Sequence, residues 1–161
     1  MKKYYLILIM FVILSSCTND DSIVMYRNIA THFSLYDTSG DETTKFKSGN
    51  DIEMRFSLTN MSGEDLSYSY TGSPVIFEIH QVDTVIATSM DGIGFRLIVL
   101  QDEIKNGETF RSNWFVENTA QRDSTLELPV GEYEAYVSHI PFFNEYKIQK
   151  TEKIVFTIID E

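Results

Sequence analysis

The sequence contains one cysteine, three prolines and eight glycines in 161 residues, and these shortages limit what it can build. A lone thiol forms no intrachain disulfide and no multi-cysteine zinc site, so the folded part must be held by its core. Roughly 140 residues bury enough apolar surface for that. Basic residues are also few, with 13 lysines and arginines against 24 aspartates and glutamates and a net charge of −11. Such a chain repels phosphate backbones, and without a basic patch interleaved with aromatics nucleic acid is excluded as a partner.

An apolar run long enough to span a membrane is missing as well. The apolar and aromatic run over residues 4–14 is shorter than the roughly 20 residues that cross a bilayer. Lys2 and Lys3 precede it and small residues follow it, as in a secretory signal peptide. The segment Leu14-Ser15-Ser16-Cys17 resembles the bacterial lipobox, which is cut before a diacylglyceryl-modified cysteine. We therefore expect a lipoprotein signal peptide over residues 1–16; an ordinary signal peptide and an uncleaved anchor are the alternatives.

Cys17 would then begin the mature chain and carry acyl chains that bind it to a membrane, because each buried methylene contributes about 0.8 kcal/mol. Residues 17–27, which begin with the polar segment 18–22 after Cys17, are expected to form a lipidated polar tether. Residues 18–22, TNDDS, resemble the acidic export signal of surface lipoproteins of Bacteroidota. The resemblance implies a surface-exposed outer-membrane lipoprotein, with the periplasmic leaflet as the alternative. Loss of Lys2 and Lys3 takes the net charge from −11 to −13.

From residue 28 onward the hydrophobic pattern has a period of two. In its clearest example Ile52, Met54, Phe56 and Leu58 alternate with polar residues, which is typical of a half-buried strand. Turn residues separate about eight or nine such strands at intervals of roughly ten residues, and no stretch indicates a substantial helix. The sequence therefore predicts an all-β domain over residues 28–161, a single immunoglobulin-like antiparallel β-sandwich.

Several segments resemble BsuPI-type intracellular proteinase inhibitor domains. They are Phe56–Asn60, Leu66–Tyr70, Val75–Phe77, Asn106–Phe110 with Trp114, and Leu128–Tyr133. The resemblance implies a β-sandwich and protease inhibition, although a lipid anchor would redirect an inhibitor to an extracellular protease. Structural roles also explain the motif residues: Trp114 fills space between sheets, and Tyr133 faces the core with its hydroxyl at the rim.

Residues arranged for catalysis are absent from the sequence pattern. The chain has no G-x-S-x-G, H-E-x-x-H or phosphate-loop motif. His32, His80 and His139 are scattered, and none has a second histidine at metal-ligand spacing. We therefore expect no enzymatic activity, no catalytic residue, no metal and no cofactor.

One segment near the end of the chain stands out because it combines aromatic residues with a proline. Phe142, Phe143 and Tyr146 lie between the last two predicted strands, where a sandwich carries its end loops. They predict a contact patch for a protein partner or a glycan; packing against the end of the core is the alternative. The sequence thus predicts a non-catalytic envelope lipoprotein that binds a macromolecule through loops at the sandwich end, with protease inhibition or glycan binding as alternatives.

Overall fold

The alternating pattern produces strands throughout the part of the chain that the structure describes. A computed structural model describes residues 28–91, 98–116, 128–139, 142–143, 146–147 and 152–160, with only the backbone described at 138–139, 142–143 and 146–147. The expected signal peptide over 1–16, Cys17 and the tether over 17–27 lie outside these ranges. Within them there are twelve strands and no helix. In chain order the strands are β1 (Ile29–Tyr36), β2 (Lys45–Lys47), β3 (Ile52–Asn60), β4 (Leu66–Thr71), β5 (Ile76–Gln81), β6 (Thr84–Thr88), β7 (Val99–Ile104), β8 (Thr109–Val116), β9 (Gly131–His139), β10 (Phe142–Phe143), β11 (Tyr146–Lys147) and β12 (Glu152–Ile159).

These strands form three sheets with the orders β1-β3-β8, β11-β10-β4-β7 and β2-β12-β9-β5-β6. Every pairing is antiparallel except that of β2 with β12, which is parallel. The all-β, antiparallel sandwich prediction is therefore confirmed. Nine strands have five or more residues, as expected, and the three others are too short for a periodic pattern to indicate.

The core lies between the inward faces of the sheets. On β3, the predicted apolar residues Ile52, Met54, Phe56 and Leu58 are all at most 1% exposed. Phe33 of β1 and Phe77 of β5 belong to different sheets, and their ring centroids are 6.2 Å apart. This contact links the sheet β1-β3-β8 to the five-stranded sheet across the core, as face-to-face packing of two sheets requires.

Tyr133 faces the core, as its sequence context predicts. Its side chain is 1% exposed, its ring stacks on Phe156 at 5.5 Å, and its hydroxyl donates to the Pro129 carbonyl at 2.7 Å. Burial raises the pKa of the Tyr133 hydroxyl. Trp114 is partly buried and packs against the core, which agrees with a structural role.

The segment after β3 connects strands of two different sheets. β3 pairs with β8 while β4 pairs with β7, so residues 61–65 do not close a hairpin between β3 and β4. The side chain of buried Asn60 fixes this segment by hydrogen bonds. Its side-chain amide donates to the carbonyls of Glu64 at 2.7 Å and Ile104 at 2.9 Å, and its side-chain oxygen accepts from Ser62 N–H at 3.0 Å. Asn60 therefore clamps two adjacent sheet-to-sheet crossings.

None of the described segments is a helix long and apolar enough to cross a membrane.

Candidate functional site

The residues that the sequence singled out are only partly described. Cys17 lies outside the described ranges. Phe142–Phe143 and Tyr146–Lys147 form the short strands β10 and β11, and β10 pairs with β4 opposite Tyr68 and Ser69. The segment therefore extends a sheet instead of forming an open loop at the sandwich end, because its backbone bonds are taken up by β4. The contact role of Phe142, Phe143 and Tyr146 stays a prediction.

A different surface carries the polar groups that the structure brings together. The outward face of the sheet β1-β3-β8 is built from positions 32, 34 and 36 of β1, 53, 55 and 57 of β3, and 111, 113 and 115 of β8; this surface is the polar face. Strand pairing aligns these positions in rows across the sheet. One row is Ser34, Arg55 and Asn113, and the next is His32, Ser57 and Arg111.

The polar face contains a cavity of about 380 Å³. All three strands contribute to its lining, and the lining includes both rows of polar side chains. This volume lies within the range of small-molecule sites, roughly 300–1,000 Å³. The lining residues stand on paired strands, so their spacing is fixed by the ladder and not by a loop.

Glu53 fixes the positions of two other side chains that line this cavity, Arg55 and Asn113. One oxygen accepts a bond from the Arg55 guanidinium at 2.5 Å, and the other accepts from Asn113 Nδ2 at 3.1 Å. The Glu53 side chain is 12% exposed, and its bond from Arg55 lowers the pKa of its carboxyl below the ordinary 4.5, although burial opposes the shift. The same bond raises the pKa of Arg55. Both groups therefore stay charged across the physiological range.

Arg55 is held from a second side by Tyr36. The Arg55 guanidinium carbon lies 3.9 Å from the centre of the Tyr36 ring, a cation–π contact. The Arg55 side chain is still 45% exposed. A planar fork fixed by a carboxylate and an aromatic ring, yet open to solvent, is preorganised to bind an oxyanion.

The hydroxyl of Ser34 contacts the imidazole of His32 elsewhere in the cavity lining. Ser34 Oγ is 3.1 Å from His32 Nε2 and 3.4 Å from the Tyr36 hydroxyl. Ser34 is 1% exposed although it faces outward, because the neighbouring side chains cover it. A serine next to a histidine forms part of a nucleophilic site, but a nucleophile must also reach its substrate. The burial of Ser34 favours a structural role in this network.

Arg111 gives the cavity an additional positive charge. It is exposed, and no carboxylate in the described ranges forms an ion pair with it. Arg55 is balanced by Glu53, so Arg111 leaves a local excess of positive charge in a protein whose net charge is −11. The cavity therefore favours an anionic group where the rest of the surface repels one.

A second polar cluster lies on the outward side of the five-stranded sheet. His80 Nε2 is 2.9 Å from Glu78 Oε2, and its ring centroid is 4.4 Å from that of Tyr136. Glu134 accepts bonds from Lys153 at 2.5 Å and from Tyr136, and these two bonds lower the pKa of the Glu134 carboxyl. The members pair with one another, which is typical of a self-satisfied surface network. Across the described ranges no group of three or more His, Cys, Asp or Glu residues is placed to hold a metal ion.

Sequence reasoning did not predict the polar face. The signal was present on β3, where Glu53, Arg55 and Ser57 alternate with core residues. Alternation shows that such residues point outward, but it does not show which strands become neighbours. The row partners on β8 come from more than 50 positions later in the chain, so the cavity emerges only from the pairing.

Comparison with known proteins assigns no family. No family model matches the chain, and no curated protein matches it. Among solved structures it is similar to a β-glucosidase from Listeria innocua in complex with glucose, at 9% identity and a TM-score of 0.39 over 80% of this chain and 16% of that chain. A β-glucosidase from Erythrobacter marinus gives 9% identity and a TM-score of 0.43 over 81% and 16%.

An alkylpurine DNA glycosylase from Pseudomonas fluorescens, bound to DNA containing an abasic site analogue, gives 12% identity and a TM-score of 0.40 over 82% of this chain and 30% of that chain. The chain thus spans 16% of the length of each of these two glucosidases and 30% of the glycosylase. At such TM-scores these similarities support no conclusion about activity or ligand.

Proposed function

We propose that the protein is a lipid-anchored lipoprotein of the cell envelope that binds a ligand on the polar face and catalyses no reaction. The observation that carries the binding role is the cavity of about 380 Å³, in which Glu53 and Tyr36 hold Arg55 in one open orientation. Preorganised charged groups in a concave site are typical of ligand recognition.

The anchor rests on the sequence around Cys17. The positive residues, the apolar run, the small residues and the only cysteine occur in the order that a lipoprotein signal requires. Acyl chains at Cys17 bind the protein to the outer membrane, and the acidic residues that follow favour display on the cell surface. The residues of the polar face begin 15 positions after Cys17, so the tether leaves the face free of the bilayer.

Binding is favoured over catalysis by the position of the one described serine–histidine pair in the cavity. Ser34 is 1% exposed and its hydroxyl is within bonding distance of both His32 and Tyr36. A hydrolytic serine has to meet a substrate carbonyl at about 3 Å, with donors aimed at the developing oxyanion. Ser34 lines the cavity, but at 1% exposure its hydroxyl has little room for a substrate carbonyl.

Cell fractionation tests the location. In cells that produce the full chain, we expect the protein in the outer-membrane fraction and its removal from intact cells by added protease. Cys17→Ser removes the acylated sulfur and should take the protein out of that fraction, whereas the control Ser15→Ala keeps a small residue and should not. Recovery of the wild-type protein from the soluble cytosolic fraction would contradict the proposal.

A reactive serine probe tests the absence of catalysis. We expect no labelling of the full-length protein by a fluorophosphonate, since Ser34 is covered. Ser34→Ala is the matched control for any background labelling. An adduct that mass spectrometry assigns to Ser34, and that the control lacks, would show a working nucleophile and refute the binding-only role.

A further inference from the structure

The outward face of the five-stranded sheet β2-β12-β9-β5-β6 carries balanced charges in a strongly acidic protein. Residues of a strand point alternately to its two faces, so those that flank the core residues of this sheet point outward. The charged residues among them are Lys45, Lys47 and Lys153 and Glu78, Glu132 and Glu134. Three positive and three negative charges give this surface, the neutral face, a formal charge of zero. The net charge of −11 therefore resides in the rest of the chain.

Branched aliphatic side chains are exposed on the neutral face. Val155 and Ile159 of β12 are 44% and 42% exposed, and Val85 of β6, which pairs with His80, is 48% exposed. A single exposed aliphatic residue is ordinary, but these three share one face of one sheet. Their removal from water is favourable, so the neutral face is suited to contact with another surface.

One row of the neutral face is complementary to itself. Thr157 pairs with Lys45 on one side and with Glu132 on the other, so these two residues lie about 10 Å apart across β12. Neither forms an ion pair within the part of the chain that the structure describes. A two-fold axis along β12 at Thr157 places Lys45 of each copy opposite Glu132 of the other. This reciprocal pairing is what an isologous interface requires.

The same axis brings apolar residues together. Val155 and Ile159 lie two positions on either side of Thr157, so each meets the same residue of the second copy. Lys153 also lies on this strand, but its bond to Glu134 at 2.5 Å offsets its charge. The centre of the contact would then be aliphatic and its flanks would carry two pairs of opposite charges, an arrangement that favours one specific partner.

We propose that the neutral face binds a second copy of this chain, face to face across a two-fold axis along β12. The five strands cover about 500 Å² of flat area, from their lengths, a rise of about 3.4 Å per residue and a strand spacing of about 4.8 Å. Two copies together bury about 1,000 Å², which is typical of a weak dimer. The rest of the surface carries the net negative charge and repels a second copy.

The inference goes beyond the proposed function and uses no residue of the polar face. The contact between Phe33 and Phe77 joins the inward sides of the two sheets, so the polar face and the neutral face point away from each other. Dimerisation through the neutral face therefore leaves both polar faces exposed.

Sedimentation equilibrium of the full-length protein in a density-matched detergent tests the dimer. We expect a monomer–dimer equilibrium with a Kd on the order of 10 µM. Val155→Glu should weaken dimerisation by about 10-fold or more, because two carboxylates then meet at the axis. Val99→Glu, at a 65% exposed position on β7 of another sheet, is the matched control and should change the Kd by less than about 2-fold. Urea unfolding followed by Trp114 fluorescence checks that both variants fold.

A charge exchange tests the axis itself. Lys45→Glu and Glu132→Lys should each weaken dimerisation by about 10-fold or more, because each places like charges opposite one another twice. The double variant restores opposite charges and should recover the wild-type Kd. A wild-type protein that stays monomeric at about 200 µM, equal effects of Val155→Glu and Val99→Glu, or no recovery in the double variant would each overturn the proposal. The location and serine-probe results decide the proposed function independently of these outcomes.

Discussion

Asn60 shows how one buried polar side chain fixes the course of the chain. Its amide satisfies two carbonyls from different segments, and its oxygen satisfies a backbone N–H, all within a site that is 0% exposed. The aspartates and asparagines of ordinary turns act on their own neighbours, whereas Asn60 reaches the Ile104 carbonyl 44 residues away. Asn60 stabilises the fold because its side chain supplies hydrogen-bond partners to backbone groups of these segments.

Substitution of Asn60 should therefore be costly. We expect Asn60→Ala to lower the free energy of unfolding by about 3 kcal/mol, because several buried backbone groups lose their partners. The measurement is urea unfolding followed by the fluorescence of Trp114, which is the only tryptophan. Asn50→Ala, at an exposed position, is the control and should change stability by less than about 0.5 kcal/mol. Equal stability of Asn60→Ala and Asn50→Ala would contradict the stabilising role of the Asn60 hydrogen bonds.

Glu53 makes a separate, pH-dependent prediction. Its pKa is lower in the folded protein than the ordinary 4.5 of the unfolded chain, so its ionised form stabilises the fold above that value. This contribution is lost as the pH falls through the folded pKa. Glu53→Gln should therefore be less stable than the wild type near neutral pH.

The difference between the wild type and Glu53→Gln should shrink as the pH falls below 4.5. Urea unfolding of both proteins across the acidic range measures it. The exposed Glu64, which shows no comparable bond from a cation, supplies the control variant Glu64→Gln. If the difference in the free energy of unfolding between wild type and Glu53→Gln does not vary with pH, ionised Glu53 does not stabilise the fold as described.

At the scale of elements, the hairpin between β5 and β6 carries an unfavourable turn residue. Val82 and Asp83 have φ values of 48° and 62°, so this two-residue turn places positive φ at both central positions, as a type I′ turn does. Asparagine and glycine suit such positions, but a β-branched valine does not. Val82 is also 90% exposed, so core packing does not explain its presence.

Replacement of this valine should stabilise the protein. We expect Val82→Asn to raise the free energy of unfolding by about 1 kcal/mol and Tm by about 3 °C, since asparagine tolerates the left-handed region. Differential scanning calorimetry measures the change. Val85→Asn, within strand β6 and at a position that is 48% exposed, should give no gain because asparagine disfavours strands. A lower Tm for Val82→Asn would contradict this reading of the turn.

The elements also show what a sequence does and does not specify. Alternation predicted the long strands, the core residues of β3 and the core-facing side chain of Tyr133, because each depends on local spacing. The three short strands, the parallel pairing of β2 with β12 and the capture of Phe142–Phe143 by β4 depend on contacts between distant segments. The polar face belongs to the second group, since its rows join β1, β3 and β8.

At the scale of the whole molecule, the negative net charge bears on how the protein attaches to a membrane. The proposed mature chain, which lacks Lys2 and Lys3 and has a net charge of −13, is repelled by anionic lipid surfaces, so we do not expect electrostatic adhesion to a membrane. In the proposed lipoprotein, acyl chains on Cys17 would supply the attachment instead and leave the sandwich on a polar tether outside the bilayer. The cavity on the polar face can then meet ligands in solution.

Intact-mass analysis of the protein extracted from cell membranes tests this account most directly. It predicts a chain that begins at Cys17, without residues 1–16, and that carries the added mass of a diacylglyceryl group on that cysteine. A complete, unmodified chain of 18.6 kDa with a free thiol would contradict it.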